Sequence, residues 1–236
     1  MGVSDKQVIV FVFFGEKYWD QWLLCADTFG HDWEIVIISD MGVGFYYDNL
    51  TIIKVPTPST VYDMLTFRKR IPEFIDLDEY SQVWYSDPDI LFKGDILDKY
   101  KHATDVLVSN EPNCSIKHPC MNGWFRSHEL DAMEASKAPC INGGFFCVPR
   151  QQKDFWVKYR TLCDFMEQLD QNKSTDQFVL NNLYHRKLHD MKLFEAGDVC
   201  FRPDETGVYG MVNHYIGMGS EKVEIMKSEL NKINAK

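Results

Sequence analysis

Apolar residues come first as short unbroken runs bounded by polar or turn-forming positions. Val8–Phe14 is such a run, rich in β-branched and aromatic residues and of a length that suits a strand buried on both faces. Tyr18–Phe29 then changes to helical spacing, with Trp19, Trp22, Leu23 and Ala26 on one side. Glu34–Ser39 repeats the buried-strand pattern, and Leu50–Val55 gives a third such strand, stopped by Pro56 and Pro58. Val61–Phe74 reads as a helix, and Gln82–Tyr85 as a fourth strand running into Ser86-Asp87-Pro88-Asp89. In the second half, Asp105–Ser109 and Gly144–Val148 read as strands on either side of an irregular, Cys- and Pro-containing stretch from Asn110 to Pro139. Lys153–Leu169 is an amphipathic helix carrying Phe155, Trp156, Tyr159, Leu162, Cys163, Met166 and Leu169 on one face. Ser174 and Gln177 stand at capping-box spacing at the start of another helix, and Ser220–Ile233 forms the last one. Strands alternating with helices predict an α/β fold with a mixed, mainly parallel sheet and helices on both faces. No repeat, low-complexity tract or linker interrupts it, so the 236 residues read as one domain.

Composition narrows the function. Lys+Arg 25 against Asp+Glu 35 gives a formal charge of −10, which excludes nucleic acid as a default partner. An acidic protein still accepts a phosphate ligand when a divalent cation screens it. No apolar segment reaches the length of a membrane span, and no basic-then-apolar leader precedes the first strand. Seven cysteines are scattered without a C-x-x-C pair, which points to a reducing, cytoplasmic setting and away from a zinc site. A local bridge among Cys114, Cys120 and Cys140 stays open. The chain has neither G-x-x-x-x-G-K-[ST] nor G-x-G-x-x-G, which removes P-loop enzymes and dinucleotide enzymes.

The chemistry concentrates at Tyr85-Ser86-Asp87-Pro88-Asp89. Two carboxylates two residues apart follow a buried strand, and ligands of open α/β sheets bind at the carboxyl ends of strands. Pro88 fixes its own φ and restricts Asp87, so the pair has a defined geometry. Carboxylate oxygens suit Mg²⁺ or Mn²⁺, and such an ion bridges the oxygens of a diphosphate. Taken alone, the tripeptide reads equally well as a polar turn.

Its company changes the balance. Arg68-Lys69-Arg70-Ile71-Pro72-Glu73-Phe74 followed by Val83-Trp84-Tyr85-Ser86-Asp87-Pro88-Asp89 resembles, in order and spacing, the GT-A-fold glycosyltransferases of the glycogenin and galactosyltransferase-like type. Asn142-Gly143-Gly144-Phe145, Asp176-Gln177 with Asn181, and His214-Tyr215-Ile216-Gly217 resemble further elements of that family in the same chain order. The resemblance spans residues 7–217. Two departures stand out: Ser86 replaces an apolar residue, and Lys222 is displaced from the usual place of a diphosphate-binding lysine.

The resemblance implies a retaining, metal-dependent transfer of a sugar from a nucleotide sugar, UDP-linked, to a glycan or other hydroxyl acceptor. It implies metal ligation by Asp87, Asp89 and His214, with Mn²⁺ favoured over Mg²⁺ because imidazole is the softer ligand. It gives Asp176 and Asp89 the catalytic roles. Phe13, Phe14, Gly15 and Asp40 then surround the nucleoside; Arg68 contacts the diphosphate or the sugar; Gly217 and Lys222 stand by the diphosphate; Asn142, Gly143 and Gly144 line the donor sugar; and Ser86, Asp87 and Gln177 complete the donor-binding set. About 1–110 becomes the nucleotide-binding half and about 111–220 the sugar and acceptor half, ahead of a C-terminal helix at about 220–234. Two rival readings remain: a sugar-nucleotide nucleotidyltransferase and a catalytically inactive carbohydrate-binding domain of the same fold. The first requires a Gly-rich basic loop after the first strand, where this chain has Phe14-Gly15-Glu16-Lys17-Tyr18 with one glycine.

Overall fold

The computed structural model describes residues 5–29, 33–42, 48–112, 114–118, 125–169, 176–216 and 221–234. In chain order the first half holds β1 (Gln7–Val12), α1 (Glu16–Ala26), β2 (Glu34–Ser39), β3 (Leu50–Lys54), α2 (Val61–Thr66), β4 (Gln82–Ser86), β5 (Ile90–Phe92), α3 (Ile96–Lys99) and β6 (Val106–Asn110). The second half holds α4 (Ser127–Ala135), β7 (Ile141–Pro149), α5 (Asp154–Leu169), α6 (Asp176–His185), β8 (Met191–Leu193), β9 (Val199–Phe201), α7 (Pro203–Thr206), β10 (Val212–His214) and α8 (Lys222–Asn234).

The main sheet runs β3-β2-β1-β4-β7-β6-β8. Pairing is parallel throughout except at β7, which lies antiparallel to both β4 and β6. Strand alternation sends the apolar residues to two cores. On one face Val8, Val10, Tyr85 and Phe146 meet Phe155 and Tyr159 of α5 and Phe178 and Leu183 of α6. On the other, Ile9, Phe11, Trp84 and Phe145 meet Trp19 and Trp22 of α1 and Ile96 and Leu97 of α3. The mixed α/β architecture with helices on both faces is therefore the one the sequence pattern predicts. A small second sheet, β5-β10-β9, stands at the exit of β4.

Four expectations change. The third strand is not buried on both faces: β3 is the sheet edge and only partly covered. The helix expected over Val61–Phe74 is α-helical only to Thr66 and continues as a 3₁₀ turn over Phe67–Glu73, with Pro72 inside it. The strand expected from Gly144 begins earlier, at Ile141, so Asn142 and Gly143 also lie inside β7. The stretch from Asn110 to Pro139 contains a helix, α4. Ser174, Thr175, Gly217, Ser220 and Cys120 lie outside the described residues.

Candidate metal centre and substrate groove

β1 and β4 are parallel neighbours, so the turn after β1 and the carboxylates after β4 emerge on the same edge of the sheet. Gly15 turns the chain from Phe14 into α1 with φ at +90°, a value that side chains rarely permit. Its N–H donates to Asp40 Oδ1 at 3.0 Å, and Thr57 Oγ1 donates to Asp40 Oδ2 at 2.7 Å. Asp40 thus ties together the exits of β1, β2 and β3, with both oxygens committed. Burial works to raise its carboxyl, but these bonds outweigh burial and hold it below its ordinary value. Asp40→Ala is expected to cost about 1–2 kcal/mol of stability by urea unfolding, through loss of hydrogen bonds to a carboxylate.

The acidic pair follows β4. Asp87 N–H donates to Gly144 O at 2.7 Å, which pins the chain to β7 just before Pro88. The chain then enters β5, and β10 pairs antiparallel with it, placing His214 opposite Ile90. Tyr215 N–H closes the crossing by donating to Asp89 O at 3.0 Å. As a result Asp87, Asp89 and His214 turn their ligand atoms toward one another, all within 4.8 Å. His214 Nε2 lies 3.1 Å from Asp89 Oδ1 and 3.8 Å from Asp87 Oδ2. Lys222, at the start of α8, sets its ammonium 2.5 Å from Asp89 Oδ2.

Burial favours the neutral forms here, yet the charges win. Burial pulls His214 down, and Asp89 and Asp87 together raise it above its ordinary value. Burial pushes Asp89 up, and His214 and Lys222 bring it well below the usual carboxylate range. Asp89 Oδ1 is buried without a well-aligned hydrogen bond. Two carboxylates, one imidazole and an oxygen lacking a hydrogen-bond partner fit a divalent cation.

The paired glycines of β7 each face a different cluster. A Cβ on Gly144 would overlap His214 Cε1 and stand 2.8 Å from Asp87 Oδ2. A Cβ on Gly143 would stand 2.9 Å from Asp176 Oδ2 and 3.2 Å from Arg68 Nη1. Both glycines are present for space. Asn142 is buried and internal: its Oδ1 accepts from Gly144 N–H at 2.8 Å and its Nδ2 donates to Glu111 at 3.0 Å.

Arg68 and Asp176 form a buried pair on the other side of β7. Arg68 Nε donates to Asp176 Oδ2 at 2.9 Å, Nη1 donates to Gly143 O, and the guanidinium lies 4.2 Å from the centre of the Tyr85 ring. Burial opposes the charge of Arg68, but Asp176 and Asp87 keep it charged. Burial raises the Asp176 carboxyl despite that guanidinium. Gln177 is half-buried on α6, and Ser86 is fully buried with its hydroxyl donating to Asp87 O at 3.0 Å.

A groove of about 290 Å³ opens over the acidic pair. Of the residues marked by the sequence, Phe13, Phe14, Arg68, Asp87, Asp89 and Lys222 line it, together with Tyr18. Gly15, Asp40, Ser86, Asn142, Gly143, Gly144, Asp176, Gln177 and His214 are not among its walls, although Ser86, Gly143, Gly144, Asp176 and His214 brace residues that are. Sequence reasoning missed Tyr85, which stands at the head of the acidic motif, and the apolar wall of α2. That wall is Val61, Met64 and Leu65, large side chains left exposed beside the carboxylates. A larger groove of about 950 Å³ lies at the opposite end of the strands, among Gln7, Glu34, Thr51 and Ser81, away from this chemistry.

No family model matches the sequence, and no curated protein sequence matches it. Solved structures do match. The glycosyltransferase GlyE of Streptococcus pneumoniae TIGR4 aligns over 97% of this chain with a TM-score of 0.61 at 13% identity, and its apo form over 98% with 0.59 at 13%. A glycosyltransferase involved in the glycosylation of the major capsid of PBCV-1 aligns over 94% of this chain and 99% of its own, with 0.58 at 10% identity. The chain shares the fold of these glycosyltransferases. At these identities the likeness carries the fold alone, and this chain spans 63% of the GlyE chain. Among the described residues no helix is long and apolar enough to cross a membrane.

Proposed function

We propose that the chain is a metal-dependent glycosyltransferase that moves a sugar from a UDP-sugar to a hydroxyl acceptor with retention of configuration. One observation carries the reading: Asp87, Asp89 and His214 converge beside a groove whose far wall is the end of β1. Bound there, Mn²⁺ or Mg²⁺ supplies electrostatic stabilisation to a departing diphosphate. Asp87 and Asp89 provide the oxygen ligands and His214 the nitrogen. Phe13, Phe14 and Tyr18 give the groove an aromatic wall beside the end of β1, suited to a nucleoside. Lys222 offers a second positive charge at the same mouth, and its ammonium is close enough to exchange Asp89 for a phosphate oxygen.

Retention draws support from which carboxylates reach the groove. Among the described residues the carboxylates lining it are the two metal-directed ones, Asp87 and Asp89, and a retaining route, in which the leaving phosphate takes the acceptor's proton, asks for no third. Asp176 is buried under Arg68 and acts by holding the sugar side of the site, through Arg68 and Gly143. The nucleotide side then belongs to residues before about 110. The sugar and acceptor side belongs to 111–220, with the acceptor expected to meet the stretch from Asn110 to Pro139.

The test is binding and turnover with Mn²⁺ and defined nucleotides. Mn²⁺ at a hundred times its Kd is expected to stabilise the fold by about 2.7 kcal/mol, reversed by chelator. UDP is expected to bind tightly only with Mn²⁺, and UDP-sugar hydrolysis to stop on adding chelator. Tighter binding of GDP or CMP overturns the choice of donor. A product anomer opposite to that of the donor, read by NMR, overturns retention.

A further inference from the structure

We infer that Tyr85 and Arg68 are positioning residues of the metal centre, which fix the oxygen that Asp87 turns toward His214. This rests on the metal reading above. Asp87 is the least covered of the three ligands, with 27% of its side chain exposed, so packing alone does not set its carboxylate orientation. Two groups do so. Tyr85 Oη donates to Asp87 Oδ1 at 2.6 Å, and Arg68 Nη2 lies 3.7 Å from the same oxygen. Oδ1 is thereby held inward, and Oδ2 is left on the His214 side, 3.8 Å from Nε2.

Tyr85 is itself immobile. Its ring is 2% exposed, stacked on Phe146 at 5.1 Å, and covered by the Arg68 guanidinium at 4.2 Å. Arg68 is anchored in turn by Asp176 at 2.9 Å and by Gly143 O. The order of dependence runs from α6 through Arg68 and Tyr85 to a ligand on the β4 exit. Groups that orient a metal ligand from behind typically contribute 10–100-fold to metal affinity.

Tyr85→Phe keeps the ring and both stacking partners and removes only the hydroxyl. Mn²⁺ titrations by calorimetry, with the EPR spectrum of the bound ion, are run on the intact chain, on this variant, and on Arg68→Lys and Arg68→Met. Tyr85→Phe is expected to weaken Mn²⁺ binding about 10–100-fold and to alter the EPR line shape, with thermal unfolding of the metal-free protein little changed. Arg68→Lys is expected to keep more affinity than Arg68→Met. Equal Mn²⁺ affinity and spectrum in Tyr85→Phe and the unaltered chain overturns the role of Tyr85. Tighter binding in Arg68→Met shows simple charge repulsion of the ion and overturns the role of Arg68. If the unaltered chain binds no Mn²⁺, the metal reading falls and this inference with it.

Discussion

Gly144→Ala is expected to abolish divalent-ion binding while leaving the sheet assembled. The backbone at Gly144 has ordinary strand conformation, so alanine is not excluded by φ and ψ. Space excludes it. The new methyl would overlap His214 Cε1 and crowd His214 Nδ1 and Asp87 Oδ2, each at 2.8 Å. β7 cannot retreat, because it is hydrogen-bonded between β4 and β6, and Gly144 itself holds Asp87 N–H and Asn142 Oδ1. His214 and Asp87 must therefore move, and a metal site tolerates ligand displacements of only a few tenths of an ångström. The stability loss is expected at about 1–3 kcal/mol, the usual range for overpacking. Mn²⁺ affinity is expected to fall more than a hundredfold. Gly143→Ala crowds Asp176 and Arg68 instead, so it serves as the comparator on the opposite face of the same strand. Ion binding by Gly144→Ala at the affinity of the unaltered chain would place His214 outside the centre.

These glycines also show where the sequence was legible. The runs that became β1, β2 and β4 were readable because strands buried on both faces are continuously apolar. The acidic pair was readable because it follows such a strand and carries a proline. The sequence pattern starts the strand holding Gly143-Gly144 three residues late, at Gly144, because glycine is depleted in strands; only the side chains packed against the pair reveal a need for space. Arg68, within a basic tripeptide, also fits an exposed helical position. The tightening into a 3₁₀ turn after Thr66 and the nearby Asp176 and Asp87 account for its burial. β5, β9 and β10 are three residues each, too short for any periodicity to register. α4 buries no residue, so no apolar stripe announced it. His214 drew attention only through the order of motifs around it, and its approach to Asp89 depends on a β5–β10 pairing that links residues 124 positions apart.

Asp89 faces two basic side chains, His214 and Lys222, and Asp89→Asn is expected to remove both ion binding and a large part of the metal-free stability. Its side chain and that of Lys222 are each 12% exposed, and that of His214 is 4% exposed. Removing the carboxylate charge leaves an ammonium and an imidazole that Asp89 had helped to charge without their partner. Breaking a buried pair on one side costs about 3–5 kcal/mol. Asp89→Asn with Lys222→Met removes both charges and is expected to recover much of that loss without recovering Mn²⁺ binding, which separates fold from function in one cycle. The pH dependence of the chelated protein checks the assignment. Asp89 is depressed in the fold, so its contribution is present above the ordinary carboxylate value of about 3.9 and is lost as pH falls through the folded value. His214 is raised, so its contribution is present below about 6.5 and is lost as pH rises through the folded value. The pair therefore stabilises the metal-free chain most between about pH 4 and 6.5, and Asp89→Asn is expected to lower the unfolding free energy inside that window and to flatten its fall on either side. A profile identical in shape to that of the unaltered chain would show that His214 and Asp89 do not share charge.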